Sequence, residues 1–190
     1  RFPVYTRTCF IFTHPSIVRL SSRRSPLPGG DSSNSPLSRG ESQSLKFLNM
    51  NNNSRVIYLQ IKPARGAPMQ SVSIVEAVAE QGLRNDSQFG RSKRQVLIIE
   101  RETLEEFELP IGDVRENITV EGIKLAGLPA GTRMQVGRAL LEATMDCTPC
   151  KFIEAKRAGL RDQMAGRRGT LFKVIGGGKI KLGDEVRIVA

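Results

Sequence analysis

From Arg55 onward the chain is a succession of short apolar runs separated by Gly, Pro, Asp and Asn. RVIYLQI (residues 55–61) is rich in β-branched and aromatic residues, and RQVLIIE (residues 94–100) is a continuous apolar run of the kind a buried strand shows. NITVEGI (117–123) reads as a further strand, and RMQV-G-RALLEATM (133–145) as two strands about a turn. LFKVI, a glycine turn, KIK, a Leu-Gly-Asp turn and EVRIVA complete the pattern between residues 171 and 190. Three stretches carry a helical period. SVSIVEAVAEQG (71–82) has the start signature Ser73-x-x-Glu76, apolar residues at 74, 77 and 78, and Gly82 as a stop. RETLEEFEL (101–109) predicts a short helix ended by Pro110. CKFIEAKRAGLRDQM (150–164) predicts a helix with Phe152, Ile153, Lys156, Leu160 and Met164 near one face. Many short strands with a few inserted helices predict a mainly β fold with a β-barrel core.

Residues 1–49 have a different texture. They are rich in Ser, Arg and Pro, poor in acids, and without an apolar period, so they bury too little surface to offset the cost of ordering. We expect a disordered tail or leader there and one domain over residues 56–190. Arg- and Ser-rich, acid-poor composition is that of a transit peptide, while Met50 opens a tidy sequence, MNNNSRVIYLQIKP, which gives the alternative that residues 1–49 are translated upstream sequence. The expected location is therefore cytoplasmic, or plastid or mitochondrion if residues 1–49 are a transit peptide. The net charge of +10 invites a nucleic-acid reading, but half of it lies in residues 1–50 and the remainder is mixed in sign, which argues against that partner. No apolar run reaches the ~20 residues that span a bilayer, so no membrane partner is expected.

Candidate chemistry centres on DCTPCK, with Cys147 and Cys150; the third cysteine, Cys9, lies in the tail. Three cysteines with one close pair are not a disulfide framework. Structural zinc requires four N or S ligands, and the domain has no histidine, since His14 is also in the tail. A dithiol oxidoreductase would use both thiols, although Asp146 opposes a thiolate at Cys147 and the βαβ alternation of that fold is missing. Alternatively Cys150 alone is the working thiol, at a helix start and followed by Lys151, Lys156 and Arg157, whose charges favour thiolate. A third reading is a non-catalytic binding module with an inert, buried cysteine.

Three longer stretches bear on the choice: GDVRENITVEGI (112–123), VGRALLEATMDCTPC (136–150) and AGRRGTLFKVIGGGKIKLGDEVRIV (165–189). The order Gly-Asp, Arg-x-Asn-Ile, Gly-x-x-x-x-Glu, Pro-Cys, Gly-Arg-x-Gly and Gly-Asp resembles the MOSC domain of molybdenum cofactor sulfurases, in its short stand-alone form. The resemblance spans roughly residues 56–190. It implies a β-barrel MOSC-like core and a cysteine matching Cys150, as persulfide acceptor or molybdenum ligand. It also implies cofactor-binding positions at Arg115 and Asn117, with Arg167 and Arg168 as further anion contacts. An anionic pterin phosphate suits an Arg fork, and a soft metal suits thiolate.

The implied activity is sulfur transfer or a molybdenum-cofactor-dependent oxidoreduction. The implied cofactor is molybdopterin, with pyridoxal phosphate brought by a partner cysteine desulfurase. Other expected partners are the molybdenum-cofactor machinery and a small-molecule substrate. One departure stands out: GLRNDSQFG (82–90) has no histidine where the family often carries an acidic-histidine element.

Overall fold

The computed structural model describes residues 53–189. The expectations for residues 1–49 lie outside the described residues. The strands are β1 (Arg55–Ile61), β2 (Gln70–Ser71), β3 (Ile74–Val78), β4 (Gly82–Leu83), β5 (Val96–Glu100), β6 (Ile118–Glu121), β7 (Arg133–Val136), β8 (Ala139–Asp146), β9 (Thr170–Gly176), β10 (Gly178–Lys181) and β11 (Val186–Val189). The helices are α1 (Arg101–Glu106), α2 (Lys151–Glu154) and α3 (Leu160–Gln163). The fold is mainly β with a few short helices, as the patterning predicts.

Eight strands form one sheet in the order β11-β7-β8-β9-β5-β6-β1-β2, and three form a second in the order β10-β3-β4. β5 and β6 are parallel, joined through α1, while the other ladders are antiparallel. Neither ladder closes on itself. The margins of the large sheet approach at an isolated bridge between Arg55 and Glu185, beside the bonds Val56 N–H to Asp184 O (2.9 Å) and Gly183 N–H to Val56 O (2.8 Å).

Every residue of β5 is buried, matching its unbroken apolar run. Its alternate side chains serve two faces. Val96 and Ile98 join Val120, Leu141 and Phe172 in the main core, whereas Leu97 packs with Leu171 and Cys147 on the other face. A smaller cluster of Ile99, Leu104, Phe107, Val114, Ile153, Leu160 and Met164 ties the β5–β6 connection to the β8–β9 connection. Two irregular segments are thereby fixed together at one end of the sheet.

Three expectations are corrected. SVSIVEAVAEQG is strand, not helix. Val75 and Ala77 are buried while Ile74 and Glu76 are exposed, a period of two, and β10 pairs along this strand. The would-be capping residue Glu76 instead pairs with Arg84 at 2.6 Å. The helix over 150–164 is two single turns, because Gly159 adopts φ +77° and breaks the path between them. The glycines at 176–178 are not a hairpin turn, since β9 and β10 belong to different sheets. A Cβ at Gly178 would overlap the Arg138 carbonyl, so glycine is what lets the chain cross from one sheet to the other.

Candidate functional site

The two tied connections carry most of the sequence-predicted residues. The first delivers Arg115, Glu116 and Asn117 into β6. The second leaves β8 at Cys147, passes Cys150 into α2, and re-enters the sheet through Arg167 and Arg168 ahead of β9. A cleft of about 220 Å³ opens beside them, with an apolar floor of Leu97, Leu171 and Cys147. Its polar wall holds Lys62, Arg94, Arg115, Asn117 and Arg168, with Asp86 as its carboxylate.

Arg168 is 8% exposed, and its guanidinium is held by neutral and sulfur acceptors. Nη1 donates to Cys147 Sγ at 2.9 Å and to Thr148 O at 3.4 Å, and Nη2 donates to Val114 O at 3.1 Å. Its Nε is buried without a partner. Gly169, at φ +89°, follows immediately; a Cβ there would overlap the Ile98 carbonyl. The glycine thus lets the turn lie against β5 and aim Arg168 inward.

Arg115 sits at φ +61°, a left-handed conformation that costs a residue with a Cβ about 1–2 kcal/mol. The turn is built by its neighbour. Glu116, fully buried, accepts from Gly112 N–H at 2.6 Å and from the Thr119 hydroxyl at 3.0 Å. Gln60 donates to the carbonyls of Gly112 (3.1 Å) and Glu116 (2.6 Å). Burial pushes the Glu116 carboxyl above its ordinary value, against the opposing pull of those donors. The Arg115 guanidinium lies over the Phe152 ring at 3.6 Å, which joins the two connections.

Asn117 lines the cleft but spends its amide on the protein. Oδ1 accepts from Leu97 N–H at 3.0 Å, and Nδ2 donates to Gln60 O (3.3 Å) and Asp86 Oδ2 (3.1 Å). Asp86 in turn accepts from the N–H groups of Lys62 (2.7 Å) and Gln88 (2.8 Å). The one carboxylate lining the cleft thus accepts three hydrogen bonds, all from neutral donors. Among the described residues, none of Lys62, Arg94, Arg115 and Arg168 forms an ion pair.

The two thiols differ. Cys147 is buried on the cleft wall, and burial pushes its thiol up, against the pull of Arg168 and Arg94. Cys150 is exposed, outside the residues that line the cleft, and caps α2 in an extended conformation. Partial burial opposes its thiolate, but the Phe152 N–H, Arg168, the Ile153 N–H and Arg115 outweigh that and hold it below the usual thiol value. No turn is present over residues 147–150.

Arg167 is not brought to this cleft. It forks onto Glu106, with Nη1 at 2.7 Å from Oε1, lies over Phe107 at 4.9 Å, and lines a different cleft with Glu102 and Lys124. Its guanidinium is spent on a surface ion pair. Lys62, Arg94, Ser87 and Asp86 are the cleft residues that sequence reasoning missed. The visible signals were slight: a lysine at the exit of one strand, an arginine at the entry of another, and an Asn-Asp turn.

A family model for the MOSC domain matches residues 85–187. No curated protein matches the chain. The YuaD protein from Bacillus subtilis superposes with a TM-score of 0.60 at 19% identity, covering 70% of this chain and 93% of that one. YiiM from Geobacillus stearothermophilus gives 0.59 at 17% identity, with 72% and 75% covered. YiiM from Escherichia coli gives 0.56 at 21% identity, with 72% and 70% covered. These likenesses are of fold, and the family match spans more than half of the sequence: the chain belongs to the MOSC domain family, whose name is tied to proteins of the molybdenum cofactor sulfurase kind.

Proposed function

We propose that this protein is a MOSC-type sulfur carrier. In this reading its cationic cleft holds an anionic pterin, and Cys150 accepts sulfane sulfur from a cysteine desulfurase. One observation carries the reading: Arg168 is a buried guanidinium with no carboxylate partner, and one of its donors is unused. A buried, uncompensated cation is costly, and an anion in the cleft supplies the missing charge. Lys62, Arg94 and Arg115 add positive charge on the same wall, and Ser87 adds a second buried, unpartnered polar atom. These residues fit the phosphate of a pterin cofactor. When bound, that cofactor supplies the molybdenum centre that accepts sulfur or exchanges electrons. Asn117 and Glu116 keep the wall in shape.

Cys150 suits the acceptor role because its thiol is accessible to a protein donor and held toward thiolate. The thiolate attacks the outer sulfur of the desulfurase persulfide, a new S–S bond forms at Cys150, and the donor cysteine leaves as thiolate. Pyridoxal phosphate belongs to that partner. An exposed thiol outside the cleft is less suited to ligate a metal inside it. The dithiol alternative asks for a turn between Cys147 and Cys150, and the inert-thiol alternative for a buried Cys150. We read the curled large sheet as the family's barrel-type scaffold and residues 56–190 as the domain.

The test is to incubate the full chain with a cysteine desulfurase, pyridoxal phosphate and cysteine, and to measure intact mass beside molybdenum content after expression in a cofactor-making host. The expected result is a gain of one sulfur atom that Cys150→Ser abolishes. Stoichiometric molybdenum lost in Cys150→Ser, with no sulfur gain in the wild type, would replace the carrier by the metal-ligand reading.

A further inference from the structure

The exposed thiol and the cleft thiol are different residues, and sulfur carriage alone leaves Cys147 without a task. Cys147 is 3% exposed and lines the cleft, whereas Cys150 is exposed and does not line it. Sulfur delivered to Cys150 therefore stands outside the pocket where an anionic ligand would lie. We propose that Cys147 is the inner station of a sulfur relay, receiving sulfane sulfur from the Cys150 persulfide and holding it on the wall of the cationic cleft. This rests on the carrier reading.

The surroundings of Cys147 suit a persulfide. Arg168 Nη1 lies 2.9 Å from its sulfur, and Arg94 flanks it. A persulfide is a stronger acid than a thiol, so sulfur moved to Cys147 arrives as an anion between two cations. Arg168, more than nine-tenths buried, also keeps an Nε without a hydrogen-bond partner. Cys147 is poorly placed as the first acceptor, because at 3% exposure it is closed to a protein donor. Uptake at Cys150 must come first.

Three residues span at most about 10 Å between Cα atoms, and a persulfide lengthens the donor side chain by about 2 Å. Residues 147–150 carry no turn, so the transfer requires this segment to bend and bring the buried and the exposed sulfur together. Arg168 acts on both thiols, and each lies within reach of that one guanidinium's charge. The Cys147 sulfur attacks the outer sulfur of the Cys150 persulfide. That S–S bond breaks, another forms at Cys147, and Cys150 leaves as thiolate, taking up the proton that Cys147 releases. Nothing is oxidised or reduced overall, and no co-reactant is consumed.

The test uses the full chain carrying Cys9→Ser, loaded with a cysteine desulfurase and cysteine, trapped with iodoacetamide at increasing times and localised by fragment-ion masses. Sulfur is expected first at Cys150 and later, several-fold in excess, at Cys147. Cys147→Ser and Cys147→Ala should both trap it at Cys150, and Cys150→Ser should leave Cys147 unloaded. Sulfur that stays at Cys150 in the two-thiol protein overturns the relay, as does loading of Cys147 at the undiminished rate in Cys150→Ser. If neither Cys147 variant takes up sulfur at Cys150, the carrier reading itself has failed.

Discussion

Arg168 and Glu116 are both buried ionisable groups, and each is placed where its charge is awkward. Arg168 lends its positive field to Cys150. In Arg168→Gln, the pH at which iodoacetamide alkylation of Cys150 reaches half its maximal rate should move up, because one of the charges favouring thiolate is gone. An unmoved midpoint in peptide-resolved rates would remove Arg168 from the activation of the thiol. Glu116 is held above the ordinary carboxyl range by burial. A group with a raised folded-state value contributes stability below its unfolded value and loses it as pH rises through the folded one. Wild-type melting temperature should therefore fall as pH climbs from the ordinary carboxyl range into the raised one. Glu116→Gln keeps an acceptor for Gly112 and Thr119 and should stay flat across that window, ending above the wild type. Parallel melting curves for the two proteins would contradict this. None of these placements is visible in the sequence, where Arg168 is one of two adjacent arginines. Its neighbour Arg167 turned to the surface and Glu106.

At the scale of elements, strands were legible where a two-residue period or an unbroken apolar run stood alone, as in RVIYLQI and RQVLIIE. The same cues failed at SVSIVEAVAEQG, where local helix signals competed with pairing to β10, a partner about a hundred residues away in the chain. Glycines were legible as breaks but not in kind. Gly178 is a crossing point between sheets, and Gly169 is a left-handed turn pressed against β5. Gly169→Ala combines a φ of +89° with a collision at Ile98, so it should cost about 1–3 kcal/mol in urea unfolding and displace Arg168. Gly166 has a similar φ of +71° but open space around it, so Gly166→Ala should cost less. Equal losses at the two positions would mean that close packing at Gly169 contributes nothing beyond its backbone angle.

At the scale of the whole molecule, where the charges lie decides more than their sum. The cleft gathers Lys62, Arg94, Arg115 and Arg168 from four separate segments, and only the fold reveals that Asp86, the one carboxylate lining it, accepts from three neutral N–H groups and pairs with none of these cations. The resemblance in sequence pointed to Arg115, Asn117 and Cys150, but the long-range juxtaposition with Lys62 and Arg94 is a product of tertiary pairing. A cluster of unpaired cations is destabilising until an anion enters, so a bound oxyanion should stabilise the protein by mass action. Inorganic phosphate or molybdate at 100 times its dissociation constant should add about 2.7 kcal/mol, read as a rise in melting temperature. The rise should shrink as sodium chloride is added at fixed oxyanion concentration, since surface charges are screened. Arg168→Gln should remove most of it, while Arg167→Gln, whose guanidinium faces Glu106 and a different cleft, should leave it intact. Equal loss in both variants would assign the response to the protein's overall positive charge instead of to the cleft.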